Sequence, residues 1–516
     1  MGKVKRMRSR LFFAFAAATV ALSAHAQYSG ARPTPRQWKP GFDSITIPQA
    51  QKLLHVLAGP DFRGRNSYNG DFNLAAGWVM SYLQNLGLKP MGDDGSYFQR
   101  YTLVRGQATP EGTTLKAGGL TIPFSGEFSV SGVPGTYETP KVVFLHSPGD
   151  LVPTSSPDSF KGKWIILSQA SVENSKLREY LAPLRTAWDG KTRIVTPVNR
   201  DNDRTPSTPR FTTVKGALDP ASGPFPNFTL SHQAAVKLAQ ALGASKFSAA
   251  GNQVTIEETN QTFSIDIKAN VEELPMVNIL AGIEGSDPKL RSEAVMYGSH
   301  LDHMGPQREG ILFGADDNGS GCTANMLIAR AMVTNPVKPK RTVLFAFWNL
   351  EESGLYGSFA YVNFPKWPLK DTIAYINMDM LGRDEEYPRF NEKPEWNTKA
   401  IYPGIVETNS PDFLALLTEM NQYVQLRLKR DHEDRTFRTD TGNFVRNSIP
   451  TVKAFTGEHK DYHRAGDTPE KINYEKLTNA AKWLYLTGQE LAARPTKPKF
   501  ERRPFVAEPA PTGPPN

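Results

Sequence analysis

Five short segments each place a carboxylate or an imidazole in a stiff, Gly-punctuated setting, and most of them follow an apolar run. They are 298–305 (Gly-Ser-His-Leu-Asp-His-Met-Gly), 314–321 (Gly-Ala-Asp-Asp-Asn-Gly-Ser-Gly), 348–354 (Trp-Asn-Leu-Glu-Glu-Ser-Gly), 377–382 (Asn-Met-Asp-Met-Leu-Gly) and 461–463 (Asp-Tyr-His). The runs at 294–298, 341–348 and 372–377 have the length and composition of buried strands. From about 261 the order strand, Gly-rich turn, helix repeats. This pattern predicts an α/β fold, a mixed and mostly parallel sheet with helices on both faces. In such sheets sites form beyond the carboxyl ends of the strands. His300, Glu351, Glu352 and Asp379 all fall just past a predicted strand end.

Each segment alone has a plain structural explanation. Asp-Asp before Asn-Gly suits a turn or a helix N-cap, and Glu-Glu at a helix start suits the dipole. Asn-Met-Asp-Met is harder to dismiss, because an acid inside an apolar run is costly unless paired or bound to metal. Together the segments supply two His, two Asp and a Glu pair, the donor set of a two-metal hydrolase with one carboxylate to spare. Asp316 can bridge two ions, His300 and Asp379 can complete one, and Glu352 and His463 the other. Glu351 is then left as general base, and Asp302 is placed to orient the His300 imidazole from behind.

The rest of the chain sets the context. Five of its cations lie in the first ten residues, and an apolar stretch at 11–22 and Ala-His-Ala at 24–26 follow them. This is the pattern of a secretory signal cleaved before Gln27, so a periplasmic or secreted protein is expected, with no membrane segment after cleavage. Removing those cations lowers the formal charge from +8 to +3, which gives little reason to expect nucleic acid binding. The one cysteine, Cys322, reads as a small buried residue. Residues 27–45 are expected to be extended, and 47–86 to form two helices broken at Gly59-Pro60 and Gly64. The stretch 106–260 reads as an inserted β-rich domain between a 27–105 segment and a catalytic 261–495 segment. A Pro-rich tail follows at 496–516.

On the five motifs, in this order, the chain resembles the co-catalytic zinc aminopeptidases, whose relatives include glutamate carboxypeptidases. The resemblance covers roughly 47–105 and 261–490. It implies two zinc ions held by His300, Asp316 (bridging), Glu352, Asp379 and His463, with Glu351 as base, and an Asp316–Asp317 cis peptide. It also implies a role for Tyr462 at the tetrahedral intermediate and peptide substrates. The insert looks like a protease-associated domain, Phe160-Lys-Gly-Lys-Trp-Ile-Ile-Leu167 matching its usual core strand.

The chain also departs from the family. Where many relatives read roughly Ser-Asp-His-Tyr-x-Phe, residues 439–444 read Thr-Asp-Thr-Gly-Asn-Phe. A Gly in place of a bulky aromatic would widen the pocket. His303, His432 and His459 lie near the motifs without being needed as ligands. The expected activity is that of an exported zinc aminopeptidase. A carboxypeptidase or dipeptidase on the same scaffold would need a basic cluster, for which Arg435, Arg438 and Arg446 are candidates. A metal-free binding module and a single-zinc cyclising relative are the remaining alternatives.

Overall fold

The computed structural model describes residues 27–186, 192–198, 210–217, 226–249, 251–386, 397–430 and 438–504. The signal-like segment 1–26, His432, Arg435 and most of the Pro-rich tail lie outside these residues. The chain divides into two compact units, Met1–Arg100 with Met276–Asn516, and Tyr101–Pro275. The second is wider at both ends than the 106–260 read from the sequence. No helix among the described residues is long and apolar enough to cross a membrane.

The first unit is built on β1 (Ala269–Ile283, in this unit from Met276), β2 (Ala294–His300), β3 (Thr342–Trp348), β4 (Thr372–Met378), β5 (Ala400–Gly404) and β6 (Thr451–Phe455). Their order across the sheet is β1-β3-β2-β4-β6-β5. The four central strands run parallel, and β1 and β5 are antiparallel to their neighbours. Every residue of β2, β3, β4 and β6 is buried, as strands covered on both faces require. The registers pair His300 with Trp348, Gly298 with Asn377, and Met378 with Ala454, so the four carboxyl ends lie level.

Helices cover both faces: α1 (Lys39–Ser44), α2 (Ile47–Leu57), α3 (Asp71–Asn85), α4 (Gly321–Thr334), α5 (Tyr356–Asn363), α6 (Thr441–Arg446) and α7 (Tyr474–Ala493). Alternate strand residues sort to opposite sides. Val295, Tyr297, Val343, Phe345 and Ile376 join Leu54, Leu327, Ile328 and Leu484 in one core. Met296, Leu344, Trp348 and Tyr375 join Tyr361 and Phe444 in the other. There the Phe444 ring stacks on Tyr375 at 3.7 Å, Trp348 Nε1 donates to Tyr375 Oη at 2.8 Å, and Tyr375 Oη donates to Asn377 Oδ1 at 2.7 Å. α1 departs from the extended 27–45 expectation. Pro40 sits in its first turn, where its missing amide has no cost, and Phe42 and Trp38 are buried in the core.

The second unit has a sheet ordered Thr255–Thr259, Val142–His146, Trp164–Leu167, Arg193–Val195, and another ordered Leu120–Pro123, Thr114–Ala117, Ser264–Ile267, Gly135–Glu138. Trp164 sits in its core, ring centroids 5.3 Å from Phe228 and 5.7 Å from Phe263. Among the described residues, both groupings of imidazole and carboxylate that could hold an ion lie in the first unit.

Candidate active site

The connections from β2 and β4 leave in opposite directions across the sheet, which opens a crevice at their carboxyl ends. His300 is the last residue of β2, and Asp379 follows β4 directly. His300 Nε2 lies 3.3 Å from Asp317 Oδ1, 3.6 Å from Asp379 Oδ1 and 4.0 Å from Glu351 Oε2. His463 Nε2 lies 3.0 Å from Asp317 Oδ2 and 3.1 Å from Glu352 Oε2. Asp317 therefore stands between two imidazoles. His300, Asp317 and Glu352, and likewise His300, Glu351 and Asp379, hold their donor atoms within 4.8 Å of one another.

The carboxylate between the two imidazoles is thus Asp317, while Asp316, the bridge expected from the sequence, turns to other partners. Asp316 Oδ1 accepts the Gly382 amide at 2.6 Å and the Ser320 hydroxyl at 2.9 Å, and its Oδ2 lies 3.3 Å from His459 Nε2. The backbone at Asp317 is extended (φ −104°, ψ 94°), and in extended chain neighbouring side chains point to opposite sides. Asp467 fixes the turn by accepting the amides of both Asp316 and Asp317 at 3.0 Å. The cis peptide is Asp317–Asn318, one residue later than the resemblance implied.

Asp302 meets His300 through its backbone. The His300 Nδ1 contact is to the Asp302 carbonyl at 3.1 Å, whereas the carboxylate lies 3.8 Å away. That carboxylate accepts the amides of Glu351 at 3.1 Å and Glu352 at 3.3 Å. It positions the Glu pair more directly than the imidazole. Leu350, Met380 and His463 are held at φ 59°, 60° and 54°, a region that non-glycine residues adopt at a cost. Each is a site residue or its immediate neighbour.

The remaining residues fall into place around this cluster. The Tyr462 ring stacks on His463 at 3.9 Å and is 38% exposed, so its hydroxyl is within reach of solvent. His303 Nδ1 lies 2.6 Å from Glu352 Oε1 behind the cluster. Cys322 is fully buried with its Sγ 3.0 Å from the His300 carbonyl, and burial pushes its thiol up to about 11. Of the altered loop, Thr439 lines the pocket, and neither Thr441 nor Gly442 does. Arg438 lines it too, while Arg446 turns to Asn443 Oδ1 at 3.1 Å.

Sequence reasoning missed two residues. Arg65 is fully buried, and its guanidinium spans four carbonyls. Nε donates to Leu301 O at 2.7 Å, Nη1 to Leu57 O and Phe313 O at 2.8 Å, and Nη2 to Gly314 O at 2.9 Å. It ties the His300 loop to the Asp317 loop. Lys453 lies inside β6, only 6% exposed, with Nζ 3.4 Å from Asp379 Oδ2.

The electrostatics are those of crowded acids. Burial, reinforced by Asp379, Glu352 and Asp440, pushes the Glu351 carboxyl well up despite His300. Burial disfavours the His463 cation, but Asp317 and Glu352 outweigh it and lift the imidazole to about 10. His463 Nε2 nevertheless lacks the alignment of a hydrogen bond to either acid. Four carboxylates and two imidazoles aimed at shared space fit divalent cations that prefer nitrogen and oxygen donors. His300, Asp317, Glu352, Asp379 and His463 would hold them.

Residues 278–487 match the model of Peptidase family M28. Leucine aminopeptidase 2 of Trichophyton rubrum is 28% identical over 311 residues, covering 54% of this chain and 55% of that one. Probable leucine aminopeptidase 2 of Aspergillus fumigatus is 27% identical over 248 residues, covering 43% and 45%. The chain spans about half the length of these relatives. Among solved structures, the aminopeptidase from Aneurinibacillus sp. strain AM-1 covers 91% of this chain and 99% of its own at 17% identity. Its TM-score of 0.47 is too loose to specify a function.

Proposed function

We propose that this chain, an M28-type metallopeptidase by its match over 278–487, is an exported zinc aminopeptidase that removes N-terminal residues from peptides. The observation that carries the reading is the convergence of His300, Asp317, Glu351, Glu352, Asp379 and His463 on one crevice. Two zinc ions bound there would supply Lewis acidity toward a water and the scissile carbonyl. Glu351 takes the proton of that water and returns it to the leaving amine. Its raised affinity for protons suits a base that must also act as an acid. Asp302 holds Glu351 and Glu352 by their amides, which separates a base from a ligand on consecutive residues. Tyr462 offers a hydroxyl to the developing oxyanion. The signal-like first 26 residues support export, and the insert is read as a protease-associated domain.

The test is Glu351→Gln. It should retain bound zinc and the folded state while turnover of leucine 4-nitroanilide falls by roughly two to four orders of magnitude, the range of a general base. Wild-type turnover in this variant would sink the assignment. A second reading, in which the site acts on substrates with a free carboxyl terminus, is favoured by the cations at the pocket and is developed next.

A further inference from the structure

We propose that Lys453 and Arg438 form a carboxylate subsite beside the cluster, so that favoured substrates carry a carboxylate close to the scissile bond. This rests on the peptidase reading above. The crevice opens into a pocket whose wall includes His300, Asp317, Glu351, Asp379 and Tyr462. Among the described residues, Met380 and Phe455 are the only large apolar side chains in its wall; the others there are charged or polar. The relatives described above bear the name leucine aminopeptidase. A leucine side chain would find little apolar surface here to leave water for.

Lys453 is the anomaly. It sits mid-strand in β6, opposite Asn377 of β4 on one side and Gly404 of β5 on the other. Such positions ordinarily take apolar residues, and lysine is almost never buried without a partner. Here its ammonium meets Asp379 at 3.4 Å and lies 4.2 Å from the Phe455 ring centroid. Asp379 is also a proposed ion ligand, so a cation bound there competes with Lys453 for the same carboxylate. A purely structural lysine would therefore work against the metal. A lysine that meets a substrate anion gains a partner when the site is loaded. Arg438 lines the same pocket and adds a second positive charge of the type that suits carboxylates. Glu458 lies in the same wall and disfavours a second acidic group, which limits the subsite to one carboxylate.

The carboxylate can come from an acidic N-terminal side chain or from the free C-terminus of a dipeptide. Two substrate pairs distinguish them: glutamyl against leucyl 4-nitroanilide, and Ala-Ala against Ala-Ala amide, assayed with the zinc-loaded full chain. In one pair the carboxylate-bearing substrate should win by tenfold or more in kcat/KM. Lys453→Met should cut that ratio at least tenfold, Arg438→Met should reduce it, and Lys453→Arg should keep most of it. Zinc content is measured on every variant, so that lost metal is not mistaken for lost preference. Calorimetric titration with free glutamate and free leucine gives a readout independent of turnover. A wild type that treats both members of each pair within threefold, or a preference that survives Lys453→Met, overturns the subsite. If no peptide is cleaved at all, the peptidase reading falls. In that case glutamate binding lost in Lys453→Met still supports the subsite, and its absence overturns it.

Discussion

Replacing Arg65 by Met should loosen the site from behind while leaving every proposed ligand in place. The side chain keeps its apolar stem and loses the guanidinium that joins Leu57, Leu301, Phe313 and Gly314. Gly314 O also accepts the Gly319 amide at 3.0 Å, so three carbonyls carry most of the loss. An unsatisfied buried polar group costs about 1–3 kcal/mol. Taking the low end for three groups, because the loops can relax, gives roughly 3 kcal/mol. Urea unfolding of the metal-free protein, followed by tryptophan fluorescence, should show that loss as a lower midpoint. Zinc titration should show weaker binding, because Leu301 follows His300 and Gly314 precedes Asp317 by three residues. Excess zinc should recover part of the stability by mass action. Lys in place of Arg65 should rescue little, since one ammonium cannot span four acceptors. A loss below about 1 kcal/mol with unchanged zinc affinity would refute the clamp, since that is within the range of a single ordinary hydrogen bond.

Three further outcomes follow. Asp317→Asn should lose bound zinc by elemental analysis, whereas Asp316→Asn should keep more of it; the reverse order would restore the sequence-based choice of bridge. Asp302→Ala should lower turnover roughly 10–100-fold, as expected for a residue that orients others, while Asp302→Asn, which can still accept an amide, should recover part of it. Lys482, 4% exposed and 5.1 Å from the Phe42 ring centroid, is lowered by burial to about 8. The folded state binds this proton less tightly than the unfolded chain, so the charged form destabilises fully below about 8 and the penalty fades toward the unfolded value near 10.4. Lys482→Met should be more stable than wild type by roughly 3 kcal/mol at pH 7. The gap should close as pH rises through this window, and one that does not change with pH would rule the account out.

The sheet and most of the candidate site were legible because short apolar runs give way to polar, Gly-containing segments at strand ends, and strand ends in such sheets face a common crevice. His300, Glu351 and Asp379 were placed in this way. The choice between Asp316 and Asp317 was not legible. Adjacent acids in a turn have no period to read, and the one that points inward depends on amide contacts from Asp467, 150 residues away. Arg65 was hidden for a related reason. A lone arginine between Gly64 and Asn66 looks like a solvated loop residue, and three of its four partners lie 236 or more positions away. Lys453 carries no signal of its own in the sequence, because only the sheet order shows that β6 has a neighbour on each side.

The Arg65 clamp also bears on how the chain matures during synthesis. The arginine precedes Tyr101–Pro275, and three of its four acceptors follow that unit. At about 5–20 residues per second, a ribosome needs roughly 10–35 s to make the intervening stretch. For that interval the amino-terminal hundred residues, with Leu53, Leu54, Leu57 and Phe72 ready to bury, have neither the sheet they pack on nor three of the four carbonyls that Arg65 binds. The inserted unit can condense first, since its own core is drawn from its own residues. Nascent chains halted near residue 275 should therefore be protease-resistant across the insert and cut readily before it, and extension past the strand at 342–348 should begin to protect the amino-terminal segment.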